Sequence, residues 1–497
     1  MAAVVTAPDR ADAQVTVTGE RPRLVLQITV DQLRGDLPLR VMGRLPEGGF
    51  RYLMEQGTWF HDAHHAHANT ETIVGHTTLA TGAHPSAHGM VGNLWFDRAL
   101  GRTVYNIEDP AYRLLTEGAG VDEETEIDPT QRAARSDGRS PSAIMTSTIS
   151  DEIAIGTAGG AKIFGVSVKD RGAVSMAGHA GHAFWFSKQS GEFVTSTYYY
   201  DAYPEWVSAW NRERKAFEYA DTEWSLMRDR STYLFGDHDD REGETDLAGF
   251  GTVFPHPFGS ADSPYFTTLL TVSPAGDELT LDFAKALIAA ESIGADQVTD
   301  YLSVSFSSTD YVGHLFGPSS LEAEDNLFRL DLLLADLLDF IDQRVGLAET
   351  LIVLSADHGG AEIPSYLGEL GIPSGYVNPA EWNREPGLTA LEERFGVGEA
   401  LIESYAHPYL YLNREEIDAR GLDPAEVEDA VALEVARLPG VAAAISTMAL
   451  LEGRAPELPL VESVRYNLNP VSYTHLTLPT RSCQCSSRWW PGRDSGG

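Results

Sequence analysis

The sequence has very little cysteine, little lysine and no long hydrophobic run. Only two of its 497 residues are cysteines, Cys483 and Cys485, and both lie near the C-terminus, which excludes a disulfide framework. No run of about 18 apolar residues occurs, so we expect no transmembrane helix. Five lysines and a formal net charge of −37 indicate an acidic surface, which argues against nucleic acid or an anionic membrane as a partner.

The composition is otherwise that of a globular protein, with 43% hydrophobic residues. Residues 1–20 are expected to be a disordered N-terminus. They lack the basic start and apolar core of a signal peptide, so either the protein is cytoplasmic or the true start lies upstream. On such an acidic protein, a phosphate-binding site has to be a local positive island, built from metal ions or from a few Lys and Arg side chains.

Three strand-like segments are followed by side chains that ligate metals. Ligands of open α/β sheets bind at the carboxyl ends of the strands. Each segment alone is weak support, because a buried histidine is more often simply hydrogen-bonded, but the three together predict a metal site at that edge of the sheet. The segments and the side chains that follow them are 23–30 with Asp31, 301–306 with Asp310 and His314, and 350–354 with Asp357 and His358.

Residues 69–93 are the stretch around which the chain is organised. They predict a turn and a short helix that starts near Thr72 and stops at Gly82 and Pro85. Thr72 is predicted to be the N-cap, where its hydroxyl faces unpaired N–H groups and the positive end of the helix dipole. Such a place can bind phosphate and stabilise an alkoxide, although ordinary capping is the alternative explanation for a threonine here.

Another apolar segment, 162–168, ends in Lys169 and Arg171. In an extended or turning backbone, residues two apart point the same way, so both cations could reach one anion. A solvated Lys-Asp-Arg turn is the alternative. Residues 179–270 are less regular and are predicted to be an inserted cap subdomain. The fold prediction is α/β, with a largely parallel central sheet flanked by helices, formed by residues 21–178 and 271–470.

Taken in order, these motifs resemble the alkaline phosphatase superfamily, in the branch of the type I phosphodiesterase/nucleotide pyrophosphatases and the threonine-nucleophile alkaline phosphatases. The likeness covers roughly residues 22 to 470. It implies an alkaline phosphatase-like catalytic domain. The matching segments are 30–34, 72–76, 81–82, 88–89, 92–93, 169–171, 310–314 and 357–359.

The resemblance implies a site with two Zn²⁺ ions. One zinc would be held by the oxygen of Thr72 and by the side chains Asp31, Asp357 and His358. The other would be held by Asp310, His314 and a third histidine late in the chain.

The resemblance also implies a mechanism. Thr72 would attack phosphorus to form a phosphothreonine, which water then hydrolyses. Asn93 would donate to a phosphoryl oxygen, and Lys169 and Arg171 would neutralise the others.

Lys169 and Arg171 favour phosphate monoesters, which carry nearly two negative charges and three non-bridging oxygens. A phosphodiesterase or nucleotide pyrophosphatase of the same fold is the alternative, and an inactive metal-binding relative is a third possibility. Sulfatases are disfavoured because the nucleophile position is Thr72. The expected partners are small-molecule phosphate esters, and the expected state is a monomer. The resemblance implies a periplasmic or secreted protein, without a recognisable signal peptide here.

The pattern breaks near the C-terminus. The third zinc histidine is not found, because His407 and His475 lack the glycine-rich context that the family shows, and neither is assigned as a ligand. The composition changes abruptly near Val471, so residues 471–497 are predicted to be a non-native tail, with a divergent natural C-terminus as the alternative. On this prediction the chain has lost one zinc ligand.

Four further histidines cluster before Thr72. They could bind a separate metal ion, although a strand and loop with partly solvated histidines is the favoured interpretation. They are His61, His64, His65 and His67.

Overall fold

The computed structural model describes residues 21–397, 401–468 and 476–477. The predicted disordered N-terminus lies outside the described residues, as does nearly all of the predicted tail. The strands are β1 Leu24–Val30, β2 Leu94–Asp97, β3 Arg102–Tyr105, β4 Ile163–Ser167, β5 His182–Phe186, β6 Phe193–Val194, β7 Glu223–Trp224, β8 His256–Pro257, β9 Asp300–Phe306, β10 Thr350–Ser355, β11 Ile402–Ala406, β12 Tyr409–Leu412, β13 Ile445–Ser446 and β14 Leu476–Thr477.

Helices surround these strands, and short 3-10 turns link several of them. The α-helices are α1 Leu37–Val41, α2 Phe50–Gln56, α3 Thr72–Thr81, α4 Pro85–His88, α5 Pro129–Arg132, α6 Ile149–Gly156, α7 Asp170–Ala177, α8 Glu205–Glu213, α9 Phe266–Thr271, α10 Pro274–Glu291, α11 Ser308–Phe316, α12 Leu321–Arg344, α13 Pro364–Glu369, α14 Pro386–Phe395, α15 Arg414–Ala419, α16 Pro424–Val435, α17 Thr447–Leu451 and α18 Pro459–Arg465. The 3-10 turns are Met42–Arg44, Lys215–Tyr219, Arg230–Thr232, Leu347–Glu349 and Pro379–Arg384.

A six-stranded sheet forms the centre of the molecule, in the order β10-β1-β9-β4-β5-β6. Its strands run parallel except for β6, which is antiparallel to β5. Strands β1, β4 and β9 are buried almost throughout, as their continuous aliphatic sequences require in a sheet covered on both faces. The predicted largely parallel α/β fold is therefore confirmed.

The main hydrophobic core joins this sheet to the long helices α10 and α12. Ser320 caps helix α12 by accepting a hydrogen bond from the Ala323 N–H at 3.0 Å. Strand β10 is the edge strand and alternates in burial, with Leu351 and Val353 exposed. The candidate functional site lies at the carboxyl ends of three neighbouring strands of this sheet, β10, β1 and β9.

Local contacts set several element boundaries. Helix α6 begins only at Ile149, because Thr148 and Asp151 form a reciprocal capping box there. Helix α8 ends at its C-cap Arg214, whose φ of 51° lies in the left-handed region, and a short 3-10 turn follows it. Strand β6 is confined to Phe193–Val194.

The predicted cap, residues 179–270, starts inside the central sheet, because it contributes β5 and β6. It continues with α8 and with the small antiparallel pair β7–β8. A second sheet, in the order β11-β12-β14-β13, lies late in the chain. The division of the chain into a catalytic domain and a cap stays a prediction.

Candidate active site

Three neighbouring parallel strands bring the predicted metal ligands together. Strand β1 lies between β9 and β10, with Val30 opposite Phe306 and Thr29 opposite Ser355. The side chains that follow these strands therefore meet at one edge of the sheet. They are Asp31 after β1, Asp310 and His314 on α11 after β9, and Asp357 and His358 after β10.

Asp31, Asp357 and His358 form the first ligand group. One ligand atom from each lies within 4.8 Å of the others, and all three side chains are buried. The Nε2 atom of His358 is 3.2 Å from Asp31 Oδ1. Its Nδ1 is 2.9 Å from the carbonyl oxygen of Gly359, which assigns the ring proton to Nδ1 and leaves Nε2 for a metal.

The chemistry of this group fits a zinc ion. Two carboxylates and one imidazole are typical zinc ligands. Among the described residues, neither oxygen of Asp31 accepts a hydrogen bond, although both are fully buried. The Lys169 ammonium approaches Asp31 Oδ2 to 2.8 Å as an ion pair. The single Lys169 ammonium faces the buried carboxylates of both Asp31 and Asp310, with Asp357 beside them, so a further cation would offset the remaining negative charge.

The pKa values of the group reflect its concentrated negative charge. Burial, and next the Asp357 carboxylate, raise the pKa of Asp31. Burial alone would lower the pKa of His358, but the carboxylates of Asp357 and Asp31 outweigh it and raise this pKa to about 10. The His358 imidazole is therefore protonated, and a bound metal cation would take the place of one of its protons.

Asp310 and His314 form the second predicted pair, one helical turn apart on α11. Their atoms Oδ1 and Nε2 are 3.2 Å apart. Burial alone would raise the pKa of Asp310, but the Lys169 ammonium outweighs it and holds that pKa well below its usual range. In the parts of the chain that the structure covers, no third histidine completes this pair into a ligand group.

Of the two unassigned late histidines, His407 adds no ligand here. The Nδ1 atom of His407 lies 2.9 Å from the hydroxyl oxygen of Tyr405. His475 lies outside the described residues.

Thr72 is the first residue of α3, and Glu71 is the N-cap. The prediction that Thr72 caps the helix was therefore wrong by one residue. Helix α3 packs tightly against β10's end, since a Cβ on Gly75 would lie 2.0 Å from the carbonyl oxygen of Asp357. This close approach fixes the nucleophile candidate beside the first ligand group.

The Thr72 hydroxyl lies between the His358 imidazole, a candidate metal ligand, and the Arg171 guanidinium. Its Oγ1 is 3.5 Å from His358 Nε2 and 3.4 Å from the Arg171 NH2 group, and all three side chains are buried. An oxygen placed in this way could attack a phosphorus atom while the guanidinium contacts the phosphoryl oxygens.

Lys169 and Arg171 are both buried, so the alternative of a solvated turn was wrong. Lys169 is the N-cap of α7, and its ammonium forms ion pairs with Asp31 and Asp310. Arg171 turns to the other side, where its NH1 group donates to Asp128 Oδ2 at 2.8 Å. The Nε of Arg171 has no hydrogen-bond partner among the described residues, so it is available to an anion.

Asn93 lies against the start of α3. Its Oδ1 accepts a hydrogen bond from the Ile73 N–H at 3.1 Å, and its side chain is buried. The Nδ2 group is the part of the side chain that can donate to a phosphoryl oxygen. The predicted site residues are thus gathered at the start of α3, of α7 and at the three strand ends.

Four supporting residues were not predicted. Glu71 directly precedes Thr72, His76 follows it by one helical turn, and Gln32 follows a strand-end aspartate, whereas Asp128 had no signal in the sequence. Gln32 adopts a φ of 64°, and its backbone N–H and Nε2 donate to Asp357 and Asp310. The four residues are Gln32, Glu71, His76 and Asp128.

His76 ties α3 to the metal ligands. Its Nδ1 is 2.9 Å from Asp357 Oδ2, and its Nε2 is 2.9 Å from Ser305 Oγ. Burial alone would raise the pKa of Asp357, but His358 and His76 outweigh it and hold that pKa well below its usual range. Such an outer partner fixes the orientation of a ligand.

The four clustered histidines do not form a metal-binding group within the described ranges. His61 and His64 are exposed and His65 is half-buried, as the favoured prediction of partly solvated histidines expects. His67 departs from that prediction, because it is only 3% exposed. Burial, and next the neighbouring His65, lower its pKa to about 3, so His67 is neutral.

Comparisons with known proteins agree with the fold and the site described above. Residues 25–455 match the family model described as type I phosphodiesterase / nucleotide pyrophosphatase. The chain is 33% identical over 448 residues to alkaline phosphatase PafA of Elizabethkingia meningoseptica, covering 90% of this chain and 79% of that protein. It is 36% identical over 352 residues to alkaline phosphatase PhoV of Synechococcus elongatus, covering 70% of this chain and 61% of that protein.

A crystal structure of wild-type PafA matches with a TM-score of 0.83 and 32% identity, over 93% of this chain and 85% of that one. A second PafA structure, with a TM-score of 0.84 and 30% identity over 94% of this chain and 87% of that one, carries substitutions of a threonine, an asparagine, a lysine and an arginine.

The predicted family resemblance is confirmed, and so is the predicted enzyme class, a phosphoric ester hydrolase. None of the helices that the structure describes is long and apolar enough to cross a membrane.

Proposed function

Because the chain belongs to the type I phosphodiesterase / nucleotide pyrophosphatase family, we propose that it hydrolyses phosphate monoesters through a phosphothreonine formed on Thr72. Small-molecule phosphate esters are the substrates in this proposal. The coarser function, hydrolysis of phosphate esters by a metal-dependent enzyme, follows from its alkaline phosphatase relatives.

One observation carries the proposal. Thr72 Oγ1 lies 3.5 Å from His358 Nε2 and 3.4 Å from the NH2 group of Arg171, in a buried site. The hydroxyl is thus next to both a metal-ligating side chain and a guanidinium with an unused Nε donor. A monoester presents three non-bridging oxygens and nearly two charges, which suits two buried cations, Lys169 and Arg171.

The residues that would hold zinc are those of the two groups described above. Asp31, Asp357 and His358 would hold one ion next to Thr72, and Asp310 with His314 would contribute to a second. Zinc, when bound, supplies positive charge that lowers the pKa of a neighbouring hydroxyl and stabilises a departing oxygen.

The chain's own residues would then carry the reaction. Thr72 Oγ1 releases its proton to solvent and forms a bond to phosphorus as the bond to the ester oxygen breaks, and the departing alkoxide takes up a proton from water. Arg171 and the Nδ2 group of Asn93 hold the phosphoryl oxygens through the change of geometry. Water then cleaves the phosphothreonine, which releases inorganic phosphate and restores the hydroxyl.

The substituted residues of the PafA variant support the same assignment. That variant is substituted at a threonine, an asparagine, a lysine and an arginine, and the arginine lies two positions after the lysine. The same residue types occur here in the same order as Thr72, Asn93, Lys169 and Arg171.

Relative hydrolysis of p-nitrophenyl phosphate and bis-p-nitrophenyl phosphate tests the proposal. We expect a strong preference for the monoester that Thr72→Ala abolishes. Thr77→Ala is the matched control, because Thr77 lies on the same helix and its buried hydroxyl has no partner in the described part of the chain. A preference for the diester would instead favour a phosphodiesterase.

Metal content tests the cofactor separately. After loading with zinc and removal of excess, we expect about two zinc ions per chain by mass spectrometry, and loss of one in Asp31→Ala. Chelation should abolish activity, and zinc should restore it. If the unmodified chain retained one zinc ion or none, the second zinc site would lack support, and the alternative of an inactive metal-binding relative would be favoured.

A further inference from the structure

Asn93 lies in the irregular segment between α4 and β2, so no strand ladder fixes its side chain. Its Oδ1 is already engaged by the Ile73 N–H at 3.1 Å. The direction in which Nδ2 donates therefore depends on what holds the backbone of residue 93.

Side-chain contacts hold that backbone from both sides. The Asn93 N–H donates to Glu71 Oε2 at 2.5 Å, and its carbonyl oxygen accepts from Asn106 Nδ2 at 2.8 Å. Two residues earlier, the carbonyl oxygen of Val91 accepts from Asn69 Nδ2 at 2.8 Å. The segment 91–93 is thus held mainly by polar side chains, together with one backbone hydrogen bond from the Asn106 N–H to the Asn93 carbonyl oxygen at 3.3 Å.

Glu71 is the contact that links this segment to the nucleophile. It is the N-cap of α3 and directly precedes Thr72. Its carboxylate passes close to Gly92, where a Cβ would lie 3.2 Å from Glu71 Oε2.

We propose that Glu71 is a positioning residue, whose carboxylate holds Asn93 so that its Nδ2 group meets a phosphoryl oxygen at Thr72. This inference rests on the proposed function, which gives Asn93 its role. Asn69 assists by holding Val91, and Gly92 leaves the space that the carboxylate needs.

A cycle of variants of the zinc-loaded enzyme tests the proposal. We expect Asn93→Ala to lower kcat/KM for a monoester about 100-fold, the usual effect of removing one donor to a transition state. Glu71→Ala should lower it about tenfold in the unmodified enzyme, but less than about twofold when Asn93 is already alanine, because residues that act as one unit are not additive. Glu71→Gln should retain most activity, because its amide oxygen still accepts from the Asn93 N–H.

Two further measurements separate positioning from folding. Asp331→Ala is the matched control, because Asp331 is a buried carboxylate that accepts from the Phe50 N–H at 2.8 Å, far along the chain from the site. It should lower the urea midpoint without changing kcat/KM. Binding of inorganic phosphate needs no turnover, and Glu71→Ala should weaken it, by a smaller factor than Asn93→Ala.

Equal losses from Glu71→Ala in both backgrounds would overturn the proposal, because Glu71 would then act on Thr72 or on the fold. A loss in Glu71→Gln as large as in Glu71→Ala would overturn it too, because charge rather than position would matter. Unchanged activity and phosphate binding in Asn93→Ala would instead remove Asn93 from the proposed function, and the role of Glu71 with it.

Discussion

The ion pair between Arg171 and Asp128 allows a sharp test of the electrostatics behind the site. Both side chains are at most 1% exposed, and the NH1 group lies 2.8 Å from Asp128 Oδ2. Arg171→Met keeps the length of the side chain but leaves the Asp128 carboxylate buried without this cation. We expect a large loss of stability, because an uncompensated buried charge costs far more than a lost surface pair.

The structure sets the magnitude. Removing one partner of a buried ion pair typically costs about 3–5 kcal/mol. The lower end applies here, because Asp128 Oδ1 keeps a hydrogen bond from the Thr130 N–H at 2.9 Å and the ammonium of Lys188 also lowers the pKa of Asp128. Replacing both partners, as Met at 171 and Leu at 128, should recover most of the roughly 3 kcal/mol.

Urea unfolding of the wild type, both single variants and the double variant measures this coupling. A chelator must be present throughout, because metal binding would otherwise add its own stabilisation. Burial alone would raise the pKa of Asp128, but Arg171 outweighs it and holds the pKa well below its usual range. The ion pair therefore contributes its full stabilisation above the unfolded-state pKa of about 3.9 and loses it only in acid, so unfolding can be measured anywhere at about pH 6–8. A loss below about 1 kcal/mol, or additive single effects, would refute the reasoning.

Three other perturbations have defined outcomes. Gly75→Ala should lower the free energy of unfolding by about 1–3 kcal/mol and reduce activity, because the new Cβ would meet the Asp357 carbonyl oxygen at 2.0 Å; unchanged melting would contradict this. Burial raises the pKa of Glu244 to about 8, so stability is lost as pH rises from about 4.5 to 8, and Glu244→Gln should flatten urea midpoints measured across that range. The hydrogen bond to Asp151 raises the pKa of His179, so His179→Gln should lower the free energy of unfolding at pH 5.5 but not at pH 9, by less than about 1 kcal/mol because the site is half-exposed. Equal losses at both pH values would show that the His179–Asp151 ion pair does not contribute.

The strand ends could be predicted because a local pattern determines them. Short runs rich in aliphatic and β-branched residues, such as Leu24–Val30, favour buried strands, and the aspartate that ends the run then lies at the ligand edge. The four-residue spacing of Asp310 and His314 likewise becomes one face of α11. The fold and the first ligand group follow from such patterns.

The supporting contacts could not be predicted, because they join segments far apart in the sequence. Glu71 is not a favoured N-cap by propensity, and it is held there by the N–H of Asn93. Asp128 follows no strand, and only the folded chain brings it to Arg171. His67 resembles its exposed neighbours in sequence, yet packing buries it.

The position of β1 in the central sheet has a consequence for how the protein is made. This strand is synthesised well before its two neighbours, since Leu24 pairs with Asp300 on one side and with Thr350 on the other. Contacts so distant in sequence form slowly, and domains generally fold as units once their chain is available. Asp31 must therefore wait for Asp310, Asp357 and His358, so the first ligand group can be assembled only after residue 358 has been synthesised.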